Sequence, residues 1–174
     1  MKIAKRIVLP AMYTALLIGG QIALSGVSGV EIVTVLLLTF CFRFGILQGL
    51  IVATGFSLLR NFYFGFYPTV ILLYMIYFNL FAIVFGALGH LFGKKYSIKS
   101  HVALIVTAVL MTVLFTAIDN VITPLFFGMN PNQTKAYWVG SLSAVIPQSI
   151  CACITTIFLF PVVLKVFNSI DFGF

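Results

Sequence analysis

Thr69-Val-Ile-Leu-Leu-Tyr-Met-Ile-Tyr-Phe-Asn-Leu-Phe-Ala-Ile-Val-Phe-Gly-Ala-Leu-Gly-His-Leu-Phe92 runs without a single Lys, Arg, Asp or Glu. A helix needs about 20 mostly apolar residues to cross the hydrocarbon core of a bilayer. This run reads as one transmembrane span, and the same texture recurs on both sides of it. Towards the N-terminus, a first span covers Ile7 to Leu24, and Gly26-Val27-Ser28-Gly29 turns the chain. A second starts at Glu31 and reaches Phe42; Arg43-Phe44-Gly45 breaks it, and a third continues to Leu59. Arg60 to Pro68 is an aromatic loop. Beyond the quoted run, Gly93 to Ser100 is a basic loop and a fifth span covers Val102 to Phe126. Gly128 to Lys135 is a polar loop, and a sixth span covers Ala136 to Val166. The second and third spans are short, as tilted or partly interfacial segments are.

Composition agrees with this partition. Of 174 residues, 62% are hydrophobic and 7% charged, against about a quarter charged in soluble domains. Mean hydropathy is +1.20. Too few polar residues exist to cover a soluble globule, which excludes soluble enzymes, nucleic-acid readers and disordered linkers. The expected fold is an all-α membrane protein, one integral domain over residues 1–174, built as a bundle of six transmembrane helices. The basic N-terminus and first apolar run resemble a signal peptide. Equally apolar segments follow, so an uncleaved first span is the simpler reading.

The net charge of +7 is explained by topology rather than by nucleic acid. Cytoplasmic loops collect Lys and Arg. With the N-terminus inside, the inner side holds Lys2, Lys5, Arg6, Arg43, Lys94, Lys95, Lys99 and Lys165, and the outer side only Arg60 and Lys135. The asymmetry predicts an even number of spans with both termini cytoplasmic. No long repeat points to an inverted-repeat transporter. Cys41, Cys151 and Cys153 lie in apolar segments and read as small core residues, not as a disulfide framework or a metal site.

Three stripes of small residues lie at helical spacing: Ala11, Ala15, Gly19 and Ala23 on the first span; Gly45, Gly49 and Ala53 on the third; Ala82, Gly86 and His90 on the fourth. Such stripes let helices approach closely, whether within one chain or between two. Polar residues inside spans carry a cost and usually a reason. Glu31 either caps the second span or touches a ligand. Asp119 and Asn120 face a cavity or a partner side chain in the outer part of the fifth span, and Arg60 is placed to pair with Glu31 or Asp119. Asn79 and Gln148 are candidates for interhelical hydrogen bonds. Phe62, Tyr63, Phe64, Phe66 and Tyr67 in one loop, with Tyr137 and Trp138 opening the sixth span, form either an interfacial belt or the wall of a binding site.

Gly89-His-Leu-Phe-Gly93-Lys94-Lys95 departs from a P-loop in spacing and lacks the following Ser or Thr. His90 and His101 flank the basic loop as interfacial residues. Asn132-Gln133-Thr134 is a sequon by pattern only. Three acids and two histidines assemble no catalytic constellation, so no enzyme, cofactor or metal is expected. An intramembrane protease or lipid-modifying enzyme, a self-sufficient exporter or channel, and an assembly scaffold are the competing classes. The first lacks a nucleophile–base pair, the second has only Asp119, and the third needs no more than the alanine face.

With these residues in view, the chain resembles the substrate-binding S components of energy-coupling factor (ECF) vitamin transporters. The likeness rests on Ala11-x-x-x-Ala15 after a short basic N-terminus, the small loop before Glu31-Ile-Val-Thr34, the broken second and third spans, and Ala136-Tyr137-Trp138. It covers the whole chain and is closest to the cobalamin-type subgroup. It implies capture of a vitamin from outside, then docking on a transmembrane T subunit driven by two ATPases. Docking would use Ala11, Ala15 and Gly19, in a bacterial plasma membrane. It also implies a cargo site in the outer half, for which the candidates are Glu31, Arg60, Tyr63, Tyr67, Asp119, Asn120, Tyr137, Trp138 and Gln148. Few outer charges suit cobalamin or another neutral ring compound better than a polyanion.

Overall fold

The computed structural model describes residues 2–26 and 32–169, with side chains from Ile7 onward. Among these residues the chain is helical throughout and contains no strand. The helices are α1 (Lys2–Leu24), α2 (Val33–Phe44), α3 (Ile46–Leu59), α4 (Asn61–Phe64), α5 (Pro68–Leu91), α6 (Ile98–Phe126) and α7 (Pro131–Ser169). Four stretches are long and apolar enough to cross a membrane: Ile7–Leu24 in α1, and all of α5, α6 and α7.

Helix ends differ from the sequence expectation mainly at their starts. α6 begins at Ile98 rather than Val102, because Ser97 and Ser100 form a capping box. α7 begins at Pro131 rather than Ala136. There the Asn130 side chain accepts from the Gln133 amide at 2.9 Å, and the Gln133 side chain from the Asn130 amide at 3.0 Å. Polar first-turn residues that satisfy a helix N-terminus look like loop in a sequence. The aromatic loop contains α4, a single turn.

Contacts between helices set their directions. Gly20 lies against Ile32, and Arg60 donates to Gln21. The end of α1, the start of α2 and the end of α3 therefore share one end of the bundle. Tyr74 and Phe115 bring α5's first half and α6's second half to the same end. At the opposite end Gly45 lies against His90 and Lys94, and Arg43 donates to Asn168. Arg43, Lys94, Lys95, Lys99 and Lys165 gather at the basic end; Arg60 and Lys135 stand at the aromatic end.

α2 is the centre of the bundle, with nine of its twelve residues buried. It touches α1, α3, α5, α6 and α7. Its reversal into α3 turns on Gly45 at φ 88, ψ −178, a conformation essentially restricted to glycine. The hairpin is clamped on α5 where backbones nearly touch. A Cβ on Gly86 would stand 2.7 Å from the Ile46 nitrogen, and one on Gly89 would collide with the Phe42 carbonyl. Gly89 thus serves helix packing, while Gly93 and Lys94, at φ 62 and 59, end α5. Rings fill the remaining space: Phe40, Phe42, Phe56, Phe81, Phe85 and Phe160 are fully buried. Buried hydroxyls satisfy themselves on the carbonyl one turn back, Thr14 on Pro10 and Thr39 on Val35, a habit of Ser and Thr in apolar helices.

The three small-residue stripes part company here. Gly45, Gly49 and Ala53 are buried, as are Ala82 and Gly86, while His90 at the end of the third stripe is exposed; the small residues of both stripes are consumed inside the bundle. Ala11, Ala15, Gly19 and Ala23 are all exposed, and nothing lies within 4 Å of a Cβ built on Gly19. α1 presents Tyr13, Thr14 and Leu17 to the core and turns its small face outward. Of the cysteines, Cys41 is buried, while Cys151 and Cys153 are half-buried; all three are thiols.

Candidate ligand-binding site

α2 and α7 differ greatly in length. Twelve residues rise about 18 Å and 39 residues about 58 Å. α2 meets α7 through Phe42 with Phe160 and Phe40 with Phe167, so it covers only the C-terminal part of α7. The buried residues of α7 are accordingly Ala152, Thr156, Phe160, Leu164 and Phe167. Carrying that face back at helical spacing leads to Gln148, Ala144, Ser141 and Tyr137. On α6 the buried Ala108 and Thr112 lead on to Phe115 and Asp119 in the same way. Between residues 113 and 151 only Pro124 is buried. The inward faces of α6 and α7 continue past the top of α2 and line a cavity of about 560 Å³. Its walls are Phe115, Thr116, Asp119, Ala136, Tyr137, Gly140, Ser141, Ala144 and Gln148. A second hollow of about 470 Å³ at the α6–α7 turn shares Ala136 and Tyr137 with it.

The polar groups here are ordered by one another. Tyr137 Oη donates to Asp119 Oδ2 at 2.6 Å, and Thr123 Oγ1 to Asp119 Oδ1 at 2.7 Å. Asn120 Nδ2 donates to Ser141 Oγ at 3.0 Å, and Ser141 Oγ donates to the Trp138 carbonyl at 2.8 Å. Trp138 Nε1 donates to the Asn120 carbonyl at 2.9 Å. Asn120 Oδ1 is buried and accepts nothing among the described residues. The Tyr137 and Thr123 hydroxyls are spent on holding Asp119, and that of Ser141 on the Trp138 carbonyl.

Of the nine cargo-site candidates, Asp119, Tyr137 and Gln148 line this cavity, and Asn120 and Trp138 are hydrogen-bonded beside it. Arg60 stands apart at the joint of α3 and α4. It is buried, donates to Gln21 Oε1 at 3.0 Å, and lies 4.0 Å from the Tyr74 ring centroid and 4.8 Å from that of Phe64. Of its two expected partners, Glu31 lies outside the described residues, and Asp119 is held by the Tyr137 and Thr123 hydroxyls. Tyr63 and Tyr67 are exposed and outside the cavity wall; Tyr67 packs on Gly65. Asn79 is tied between helices, accepting from Thr54 at 2.9 Å and donating to the Met75 carbonyl. Reading residues one at a time overlooks Phe115, Thr116, Thr123 and Ser141. Helical spacing from Asp119 and Tyr137 is the signal that locates them.

At the basic end, His101 takes the Tyr96 hydroxyl at 3.1 Å on Nδ1 and meets the Thr156 carbonyl at 3.1 Å through Nε2. The second contact requires a proton on Nε2, so the first nitrogen accepts. Among the described residues no group of three His, Cys, Asp or Glu could hold a metal ion. Comparison with protein-family models, with curated proteins and with solved structures finds no match to this chain.

Proposed function

We propose that this chain is the ligand-capturing S component of an ECF-type vitamin importer. It would be embedded in a bacterial plasma membrane, bind its cargo outside and dock on a T subunit driven by two ATPases. The observation that carries this reading is the outward face of α1. Of three similar small-residue stripes, only Ala11-Ala15-Gly19-Ala23 is left uncovered, and in lipid close helix approach depends on such surfaces. The ring-lined cavity supports the binding half of the reading. Its roughly 560 Å³ falls within the about 300–1,000 Å³ usual for drug-sized ligands. That favours a compact ring compound as cargo over the much larger cobalamin. The chain acts as a binder rather than an enzyme, with energy supplied by its partners.

The test is purification of the tagged chain from its native membranes, with mass spectrometry of both proteins and small molecules. One transmembrane partner, ATPase subunits and a bound ring compound are expected. A chain recovered with no ATPase and no T subunit would sink the importer reading.

The gathering of basic residues at one end supports six spans with both termini cytoplasmic. Ser97 is exposed at that end. A single cysteine there, in a chain with Cys41, Cys151 and Cys153 replaced, should react with a membrane-impermeant maleimide only after permeabilisation. Labelling of intact cells would reverse the orientation.

A further inference from the structure

We infer that the α6–α7 cavity selects an organic cation with a planar ring, its positive charge held at Asp119. This rests on the reading of the cavity as the cargo site, and it replaces the expected neutral cargo with a charged one. Asp119 lines the cavity, and within the protein its carboxylate is answered by two hydroxyls, Tyr137 and Thr123. Hydroxyls orient a carboxylate without neutralising it. Arg60 is turned towards Gln21 and capped by the Tyr74 ring, and Lys135, two residues before Tyr137, is exposed on the first turns of α7. Tyr74 in turn packs edge-on against Phe115, so two rings stand between Arg60 and the cavity.

Beside the cavity the polar groups are fixed by one another. Asn120 cannot be flipped to offer a donor: Ser141 gives its proton to the Trp138 carbonyl, so it must accept from Asn120 Nδ2. Asn120 Oδ1 is thereby fixed as a buried, unused acceptor. Phe115 and Tyr137 present ring surface, which attracts cations further. A ligand with a positive ring meets a carboxylate at Asp119 and ring surface at Phe115 and Tyr137, and the Gln148 amide on the same wall serves a donor or an acceptor. An anion meets Asp119 head-on.

The test is calorimetry on the full chain in nanodiscs of zwitterionic lipid, with three probes of one ring size: 1-methylnicotinamide as cation, nicotinamide as neutral compound and nicotinate as anion. The cation should bind roughly tenfold or more tightly than the neutral probe, the worth of one charge-assisted contact, and the anion should not bind. Trp138, the sole tryptophan, is bonded to the Asn120 carbonyl, so its emission should shift saturably with the cation. Asp119→Asn should bring the cation down to the neutral probe's affinity, and Asp119→Glu should keep the preference. Equal binding of the three probes, no binding of the cation to folded wild-type protein, or a preference surviving in Asp119→Asn would overturn the inference. The wild-type series decides even where a variant fails to fold. A chain that prefers the cation yet recruits no ATPase keeps this inference and loses the importer reading; one that recruits ATPases without charge preference does the reverse.

Discussion

On the importer reading, Ala15→Phe is expected to reduce ATP-driven uptake to background while leaving ligand affinity of the isolated chain unchanged. Ala15 is exposed midway along the outward stripe of α1, flanked one turn away by Ala11 and Gly19. A ring there meets no atom of this chain's core, since Tyr13, Thr14 and Leu17 occupy the inward face. Lipid accommodates phenylalanine readily, whereas a charge at mid-helix would add an insertion cost of about 2.5–3.5 kcal/mol and confuse the result. What the ring removes is the space that lets another helix approach closely. Ligand binding by calorimetry and uptake in vesicles with the reconstituted ATPase module separate the two effects. Loss of both together would assign Ala15 to the fold or to the cargo site.

Gly89→Val should prevent the bundle from forming. Even one carbon at that position collides with the Phe42 carbonyl, and neighbouring Gly86 is pressed on the Ile46 backbone in the same way. Overpacking a core usually costs about 1–3 kcal/mol because side chains shift aside. Here the obstacle is main chain at the end of α2, the most buried helix of the molecule, so the cost should exceed that range. It then approaches the whole stability of a typical domain, about 5–15 kcal/mol. The expected result is little folded protein in detergent extracts and a lost melting transition. Gly19→Ala is the control: with open space around it, it should melt like the parent chain or slightly higher, since replacing glycine in a helix restricts the unfolded chain. A Gly89→Val protein that melts normally would mean that α2 and α5 are not in contact as described.

Much of the fold is legible in the chain because apolar runs and their breaks are local signals. The ends of α1, α3 and α6, at Leu24, Leu59 and Phe126, stand where the apolar texture stops. The starts of α6 and α7 are obscured, since the Ser97 and Asn130 caps use the same polar residues that loops use. The site is half legible. Asp119, Asn120, Tyr137, Trp138 and Gln148 stand out as polar or amphipathic residues in apolar surroundings; Asp119, Tyr137 and Gln148 line one cavity, with Asn120 and Trp138 bonded beside it. Tyr63 and Tyr67 stand out equally and lie elsewhere, because aromatic residues serve an interface as well as a cavity.

Sequence alone determined that this is an all-helical chain with several apolar helices, that its cations gather at one end, and that small residues recur at helical spacing. Composition and short-range periodicity suffice for each of these. Only the tertiary structure decided which small stripe is spent on packing and which stays open, and where the cavity lies. Both follow from pairings between residues far apart in the chain. Gly45 folds α3 back along α2 and clamps the pair on Gly86 and Gly89, which consumes two stripes and leaves the third outside. α2 is far shorter than α6 and α7, so their inward faces run on beyond it and, among the described residues, line a cavity that Asp119 faces. No local pattern records either outcome, because the length of one helix acts on the burial of others only once all of them are packed.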